Sequence, residues 1–117
     1  MQQKRYHLII DVSHVTGERL VNEDGLKKLL ISLPPVIGMH VLAGPLIATG
    51  IPKNPGISGL VIIDFSHISI HTFSAHNEAL VDIFSCKPFK QEAAIDAVLT
   101  YFNVKKKDAR IKEVFWG

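Results

Sequence analysis

The sequence predicts an α+β fold: a two-layer sandwich in which a mainly antiparallel sheet carries two helices on one face. Apolar runs of strand length recur between turn-forming residues, and two segments place apolar residues at helical spacing. The 117 residues, 47% of them hydrophobic, suffice for a single domain over residues 1–117 with a modest core. Helices on one face would leave the other face free for a site or a partner.

The first strand and the first helix are predicted in the amino-terminal third. Residues 6–12 are β-branched and apolar, which indicates a strand, and a polar connection through Gly17 follows. Asn22 can cap a helix that Pro34 and Pro35 are expected to stop. Its apolar residues at helical spacing are Leu26, Leu29, Leu30 and Leu33.

The segment that follows predicts a second strand and a loop. Residues 40–47 are mostly apolar, and the interruption by Gly44 and Pro45 favours an edge strand or a bulge. Residues 50–56 are rich in turn formers and show no periodicity. This stretch is therefore predicted to be a loop.

Two strands are predicted to meet in the middle of the chain. Residues 59–64 form a continuous apolar run, whereas residues 67–73 alternate between polar and apolar side chains. Phe65 and Ser66, between them, include no Gly, Pro or Asn, so the turn chemistry is poor. Such a local inconsistency is often found at functional sites.

The carboxyl-terminal part predicts a strand at residues 79–86, a second helix at residues 91–102 and a last short strand at residues 112–116. The helix places apolar side chains on one face at helical spacing. These side chains are Ile95, Val98, Leu99 and Phe102.

Composition excludes several classes of function. The net charge of +2 is spread along the chain apart from Lys105, Lys106 and Lys107, a run too narrow for a nucleic-acid surface. A single cysteine, Cys86, excludes an internal disulfide and a multi-cysteine zinc site. No apolar stretch reaches membrane-spanning length. We therefore expect a cytoplasmic protein with no membrane or nucleic-acid partner and no bound metal.

Three blocks of sequence carry a family resemblance. They are residues 56–63 (GISGLVII), residues 66–72 (SHISIHT) and residues 81–86 (VDIFSC). In order and spacing they resemble the prokaryotic S-adenosylmethionine decarboxylases, and the similarity covers most of the chain. The SHISIHT block is its most specific part.

The resemblance implies that the protein makes its own cofactor. In that family the serine of the Ser-His motif attacks the preceding carbonyl, and elimination leaves a pyruvoyl group at the new amino terminus. That serine is Ser66 here, so cleavage would give a β chain of residues 1–65 and an α chain of residues 66–117. Loss of CO₂ from an amino acid leaves a carbanion that ordinary side chains cannot delocalise, whereas a pyruvoyl group can accept those electrons.

The resemblance also assigns three further catalytic residues. His71 matches the histidine that removes the α-proton during self-processing, a task suited to a neutral imidazole. Cys86 matches the cysteine that returns a proton to the product, and Ser58 matches a serine that holds the tetrahedral intermediate. If one strand ran straight through Ser66, its side chain and that of His71 would lie on opposite faces. A chain reversal at Phe65–Ser66 is therefore expected.

Four positions depart from the family pattern. Phe65 replaces the usual glutamate before the cleaved serine. Phe73 and Ala75 occupy the positions at which the family has a tryptophan near the adenine and a glutamate near the ribose. Phe73 is therefore expected to bind substrate, with a smaller aromatic ring than the tryptophan. Pro52 replaces a second stacking aromatic. Each lost contact could be worth ~1–3 kcal/mol of nucleoside binding.

Four functional readings follow. The first is S-adenosylmethionine decarboxylation for spermidine synthesis. The second is pyruvoyl-dependent decarboxylation of a smaller amino acid such as ornithine or arginine. The third is an unprocessed homologue that acts as a binding module. The fourth, the least favoured because strand spacing separates the two histidines, is metal binding by His67 and His71 with His76 or Cys86. Members of the family are dimers, which implies a homodimer acting on a small amino-acid-type substrate.

Overall fold

A computed structural model describes residues 3–117 and contains one six-stranded sheet in the order β2-β3-β4-β5-β1-β6. All five pairings are antiparallel. The strands are β1 (Arg5–Val12), β2 (Val41–Ile51), β3 (Asn54–Ile63), β4 (Ser66–Phe73), β5 (Glu78–Ser85) and β6 (Ala109–Trp116). The helices are α1 (Gly17–Val21), α2 (Glu23–Val36) and α3 (Gln91–Phe102), with a 3₁₀ turn at Lys106–Asp108. The predicted α+β class is confirmed.

The helices pack on one face of the sheet, as predicted. Strand side chains alternate between this buried face and an open face; in β4, for example, Ile68 and Ile70 are fully buried while His71 is exposed. Buried leucines of α2 and Phe102 of α3 cover the buried face. The open face of the sheet is covered by no other element within residues 3–117 and carries polar and apolar side chains in register.

The first helical region differs from the prediction in two ways. The expected polar connection contains the short helix α1, whose Leu20 is buried. Asn22 caps α2 as predicted, since its Oδ1 accepts a hydrogen bond from Gly25 N at 2.8 Å. The expected stop at Pro34 is wrong, because α2 continues to Val36. Near a helix end a proline removes few backbone bonds, and the carbonyl of Pro34 still accepts from Ile37 N at 3.1 Å.

The predicted loop at residues 50–56 is also wrong. β2 runs on to Ile51 and β3 begins at Asn54, so a tight turn at residues 52 and 53 joins two long strands. The turn formers occupy this turn and the adjoining strand ends, where cross-strand pairing overrides weak local propensity. The edge assignment is confirmed: β2 is the outermost strand, and its register shifts between Ala43 and Leu46.

The remaining elements lie close to their predicted positions. Helix α3 spans the predicted residues, and β5 ends one residue earlier than expected. The last strand is longer than predicted because it pairs along the whole of β1. Within residues 3–117, no helix combines the length and apolar character needed to cross a bilayer.

Gly56 lies where the backbone of β3 comes so close to the backbone of β4 that no side chain fits. Its φ is 142°, and a Cβ added there would lie 2.0 Å from the backbone oxygen of Thr72. We expect Gly56→Ala to lower the free energy of unfolding by roughly 3 kcal/mol or more, because two backbones would have to separate. Urea denaturation measures this loss, and Gly17→Ala, which meets no atom within 4 Å, is the matched control. Equal stability of the two variants would contradict this reading.

Candidate active site

β3 and β4 are joined by a two-residue turn at Asp64 and Phe65. Ile63 and Ser66 face each other across it as the last registered pair. The expected reversal next to Ser66 is therefore confirmed, although the turn lies before that residue. Ser66 is the first residue of β4.

Ser66 adopts a backbone conformation that side-chain-bearing residues avoid. Its φ is 142°, a value usually reserved for glycine. Neither turn residue is a glycine, and in this two-residue turn it is the following serine that adopts the positive φ. Such a conformation stores roughly 1–3 kcal/mol. The residue expected to undergo cleavage is thus also strained.

The turn is fixed to the start of β2 through His40. His40 N donates to Asp64 Oδ1 at 3.0 Å, Asp64 N donates to His40 O at 3.0 Å, and the imidazole Nδ1 lies 3.1 Å from Asp64 Oδ2. The hydrogen bond from the His40 amide is the main cause that lowers the pKa of Asp64 below its usual value. These contacts hold the turn from its outer side.

The carbonyl of Phe65 is held from the other side by the segment after β5. Cys86 N donates to Phe65 O at 3.0 Å. The Cys86 thiol is free and half-buried, and the Lys87 ammonium lies 4.9 Å from the centre of the Phe65 ring. Ser66 pairs in register with Ser85. Ser66 and Cys86 therefore lie at the same end of the sheet.

Ser58 and His71 form a second pair. They are opposite each other on β3 and β4, and Ser58 Oγ lies 2.7 Å from His71 Nδ1. Both side chains are on the open face, beside a shallow hollow that Leu46 and Leu60 help to line. This contact fixes the ring and leaves Nε2 free to act on a proton.

The two pairs lie at opposite ends of β4. Ser66 and His71 are separated by five positions along this strand, which corresponds to roughly 16 Å at about 3.3 Å per residue. The expectation that a reversal would unite them is wrong, because both residues follow the turn on the same strand. Within one chain, Ser58 and His71 do not reach the Phe65–Ser66 bond.

Three of the four positions that depart from the family pattern lie at the His71 end, whereas Phe65 lies in the turn next to Ser66. Phe73 is the last residue of β4 and is half-buried, whereas Ala75 is exposed in the next turn. Pro52 lies in the turn between β2 and β3. A backbone hydrogen bond of 3.1 Å from Ser74 N to Pro55 O links these two regions. They lie at the same end of the sheet as the Ser58–His71 pair.

Sequence reasoning missed a polar cluster in the middle of the open face. The carboxylate of Asp82 contacts the imidazole of His7, lies 3.3 Å from His67 Nε2 and accepts from Ser69 Oγ at 3.2 Å. The polar positions that alternate with apolar ones in β4 were the available signal. His67 contacts Asp82 whereas His71 contacts Ser58, so the two histidines do not share one cluster. Among residues 3–117, no three His, Cys, Asp or Glu side chains are arranged so that they could hold a metal ion.

Comparisons with known proteins agree with this architecture. The family model of S-adenosylmethionine decarboxylase matches residues 6–114. An S-adenosylmethionine decarboxylase proenzyme of Clostridium botulinum is 34% identical over 117 residues, covering 100% of this chain and 97% of the relative. An arginine decarboxylase proenzyme of Caldivirga maquilingensis is 29% identical over 100 residues, 85% of this chain and 75% of that protein.

A solved structure is similar along nearly the whole chain. The crystal structure of the adenosylmethionine decarboxylase from Aquifex aeolicus superimposes with a TM-score of 0.77 and 26% identity, covering 99% of this chain and 91% of the other. The matched family region includes both β4 and β5, with Ser66, His71 and Cys86. The chain belongs to the S-adenosylmethionine decarboxylase family of carboxy-lyases.

Proposed function

We propose that this protein is a proenzyme that cuts itself between Phe65 and Ser66 and then decarboxylates S-adenosylmethionine with a pyruvoyl group derived from Ser66. The observation that carries the proposal is the geometry of this one peptide bond. It lies at a tight turn, the following residue has a φ of 142°, and its carbonyl accepts the Cys86 N–H at 3.0 Å. A strained peptide with a polarised carbonyl is suited to attack by the neighbouring hydroxyl.

The cleavage chemistry is balanced by one water molecule. Ser66 Oγ adds to the Phe65 carbonyl carbon, the C–N bond breaks, and the Ser66 nitrogen takes up the hydroxyl proton, which converts the amide to an ester. Removal of the Ser66 α-proton then expels the Phe65 carboxylate and leaves a dehydroalanine. Water replaces its nitrogen, which leaves as ammonia, and the pyruvoyl group remains. The products are residues 1–65 and residues 66–117.

A second copy of the chain places Ser58 and His71 next to the Phe65–Ser66 bond. The Ser58–His71 pair lies roughly 16 Å from Ser66 along β4, so neither residue serves its own turn. In a homodimer, His71 of one copy removes the Ser66 α-proton of its partner, and Ser58 donates to the developing oxyanion. Cys86 stays with its own Ser66 as the proton donor during decarboxylation.

The open sheet face is the surface for this association. Leu60 is 38% exposed and Leu46 69%, and both lie beside the Ser58–His71 pair. Ile62, 47% exposed, extends this apolar surface along β3 to the position opposite His67. Covering such a patch with a second copy would remove it from water. The Asp82 cluster beside it adds a polar contact region.

A pyruvoyl group at residue 66 would supply a ketone for the substrate amine and would accept electrons from the bond to the departing CO₂. The residues present fit this task, since Ser66 is half-buried at a strand end and Cys86 is close to it with a free thiol. Decarboxylated S-adenosylmethionine would serve as the aminopropyl donor in spermidine synthesis, in the cytoplasm. Phe73 is the remaining aromatic for the adenine.

A second substrate class is favoured by specific observations. Pro52 and Ala75 offer neither an aromatic ring nor a carboxylate at the His71 end, and one relative is named an arginine decarboxylase proenzyme. Arginine or ornithine needs no nucleoside contacts. A third candidate is an unprocessed homologue that retains Ser66 and acts as a binding module.

CO₂ release from labelled substrates, combined with intact mass, distinguishes these functions. We expect two fragments, with the carboxyl-terminal one lighter by one ammonia than simple hydrolysis gives, and CO₂ release from S-adenosylmethionine. Two fragments that act only on arginine or ornithine would select the second candidate. A chain that remains near 13.0 kDa after prolonged incubation would select the third.

A further inference from the structure

The hydroxyl of Ser85 closes a small loop at the end of β5. Ser85 is fully buried, yet its Oγ donates to Lys87 O at 2.7 Å and accepts from Lys87 N at 2.9 Å. One side chain therefore fixes both backbone groups of the residue two positions later. This arrangement determines how the chain turns away from the sheet at Cys86.

The residue between the two ends of this loop holds the carbonyl of the bond to be cut. Cys86 N points to Phe65 O at 3.0 Å, within the usual range for an N–H donor to an oxyanion. Ser66 is the register partner of Ser85 across β4 and β5. The loop and the scissile turn are thus adjacent parts of one sheet end.

Burying a hydroxyl at position 85 lowers the stability of the fold unless the hydroxyl forms hydrogen bonds. The other inward-facing residues of β5 are Ala79, Val81 and Ile83, all fully buried, and an apolar residue would continue this pattern. An unpaired buried hydroxyl costs roughly 1–3 kcal/mol. The two contacts to Lys87 satisfy it, and they use the hydroxyl to orient the backbone.

We infer that Ser85 is a positioning residue for self-cleavage, because its hydroxyl aims the backbone N–H of Cys86 at the Phe65 carbonyl that becomes the oxyanion. This inference rests on the proposed self-cleavage and deepens it. As Ser66 Oγ adds to that carbonyl, negative charge collects on the oxygen that Cys86 N already contacts. The amide acts before the thiol of Cys86 has any role with substrate.

The test compares Ser85→Thr with Ser85→Val in a His71→Ala background. Thr and Val fill nearly the same volume and differ by the hydroxyl. Without the imidazole the ester should accumulate, and neutral hydroxylamine cleaves an ester but not a peptide, so the cleavable fraction over time measures the acyl shift. We expect Ser85→Val to slow ester formation by roughly 10- to 100-fold, and Ser85→Thr to retain it.

Thermal unfolding of the same variants separates positioning from folding. If Ser85 only stabilises the fold, Ser85→Val lowers the melting temperature but forms ester at the parent rate well below that temperature, which overturns the inference. If the parent protein, with both Ser85 and His71 intact, never cleaves, both this inference and the proposed function are overturned. Should Ser85→Val not fold, replacement of the Cys86 amide by an ester linkage deletes the same N–H, and unchanged ester formation would then refute the inference.

Discussion

Ser66→Ala should leave the protein as one uncut chain near 13.0 kDa under conditions in which the parent separates into two fragments. The substitution removes the only atom placed to attack the Phe65 carbonyl from the adjoining residue, and with it the source of the pyruvoyl group. Both cleavage and CO₂ release should fall to background. Denaturing gels and intact mass, followed over time, measure the first effect, and labelled substrate measures the second.

Ser69→Ala is the matched control for this variant. Ser69 lies on the same strand, and its hydroxyl contacts Asp82 rather than the turn. It should cleave like the parent. Continued cutting between Phe65 and Ser66 in the Ser66→Ala protein would refute the assignment of the attacking residue. Loss of cleavage in both variants would point instead to a general disturbance of β4.

The fold was predictable where burial creates a regular pattern. Helix α3 was predicted with its observed bounds because apolar residues recur at helical spacing between Gln91 and Phe102. β4 was predicted because Ile68 and Ile70 alternate with polar residues. In these segments local preference and the demands of the core agree.

The errors arise where tertiary pairing overrides local chemistry. Pro34 is buried against the core and lies close enough to the end of α2 that the helix continues past it. Asn54 and Gly56 are turn formers by composition, yet both belong to β3 because β2 pairs with Asn54 and with Ile57, on either side of Gly56. The composition of a segment does not reveal whether another strand will pair with it.

The identities of the candidate site residues came from sequence, but their grouping did not. The family resemblance implied that Ser66 and His71 belong to one site. Strand register instead pairs His71 with Ser58 and Ser66 with Ser85. Register depends on the whole sheet, so a motif within one strand predicts the residue types of a site without predicting which of them meet.

Because Ser66 and His71 lie far apart in one chain, two inactive variants should restore cleavage to each other in a mixed dimer. Ser66→Ala lacks the nucleophile but retains His71, whereas His71→Ala retains Ser66 but lacks the base. Each variant purified alone should form no pyruvoyl group. When the two are expressed together, the dimers that contain one copy of each should cleave, because Ser66 of one copy then lies against His71 of the other.

The identity of the cut chain makes this experiment decisive. In a mixed dimer only the His71→Ala copy has a serine at position 66, so only its fragments should appear, with a mass tag on one variant to identify them. The expected yield is limited by the mixed fraction, roughly half for random pairing of equal amounts. A His71→Ala chain that cleaves fully by itself would show that His71 is not the base. If mixed dimers form but stay uncut while the parent cleaves, the two pairs do not act across the interface, and the separation along β4 would have to be closed within one chain.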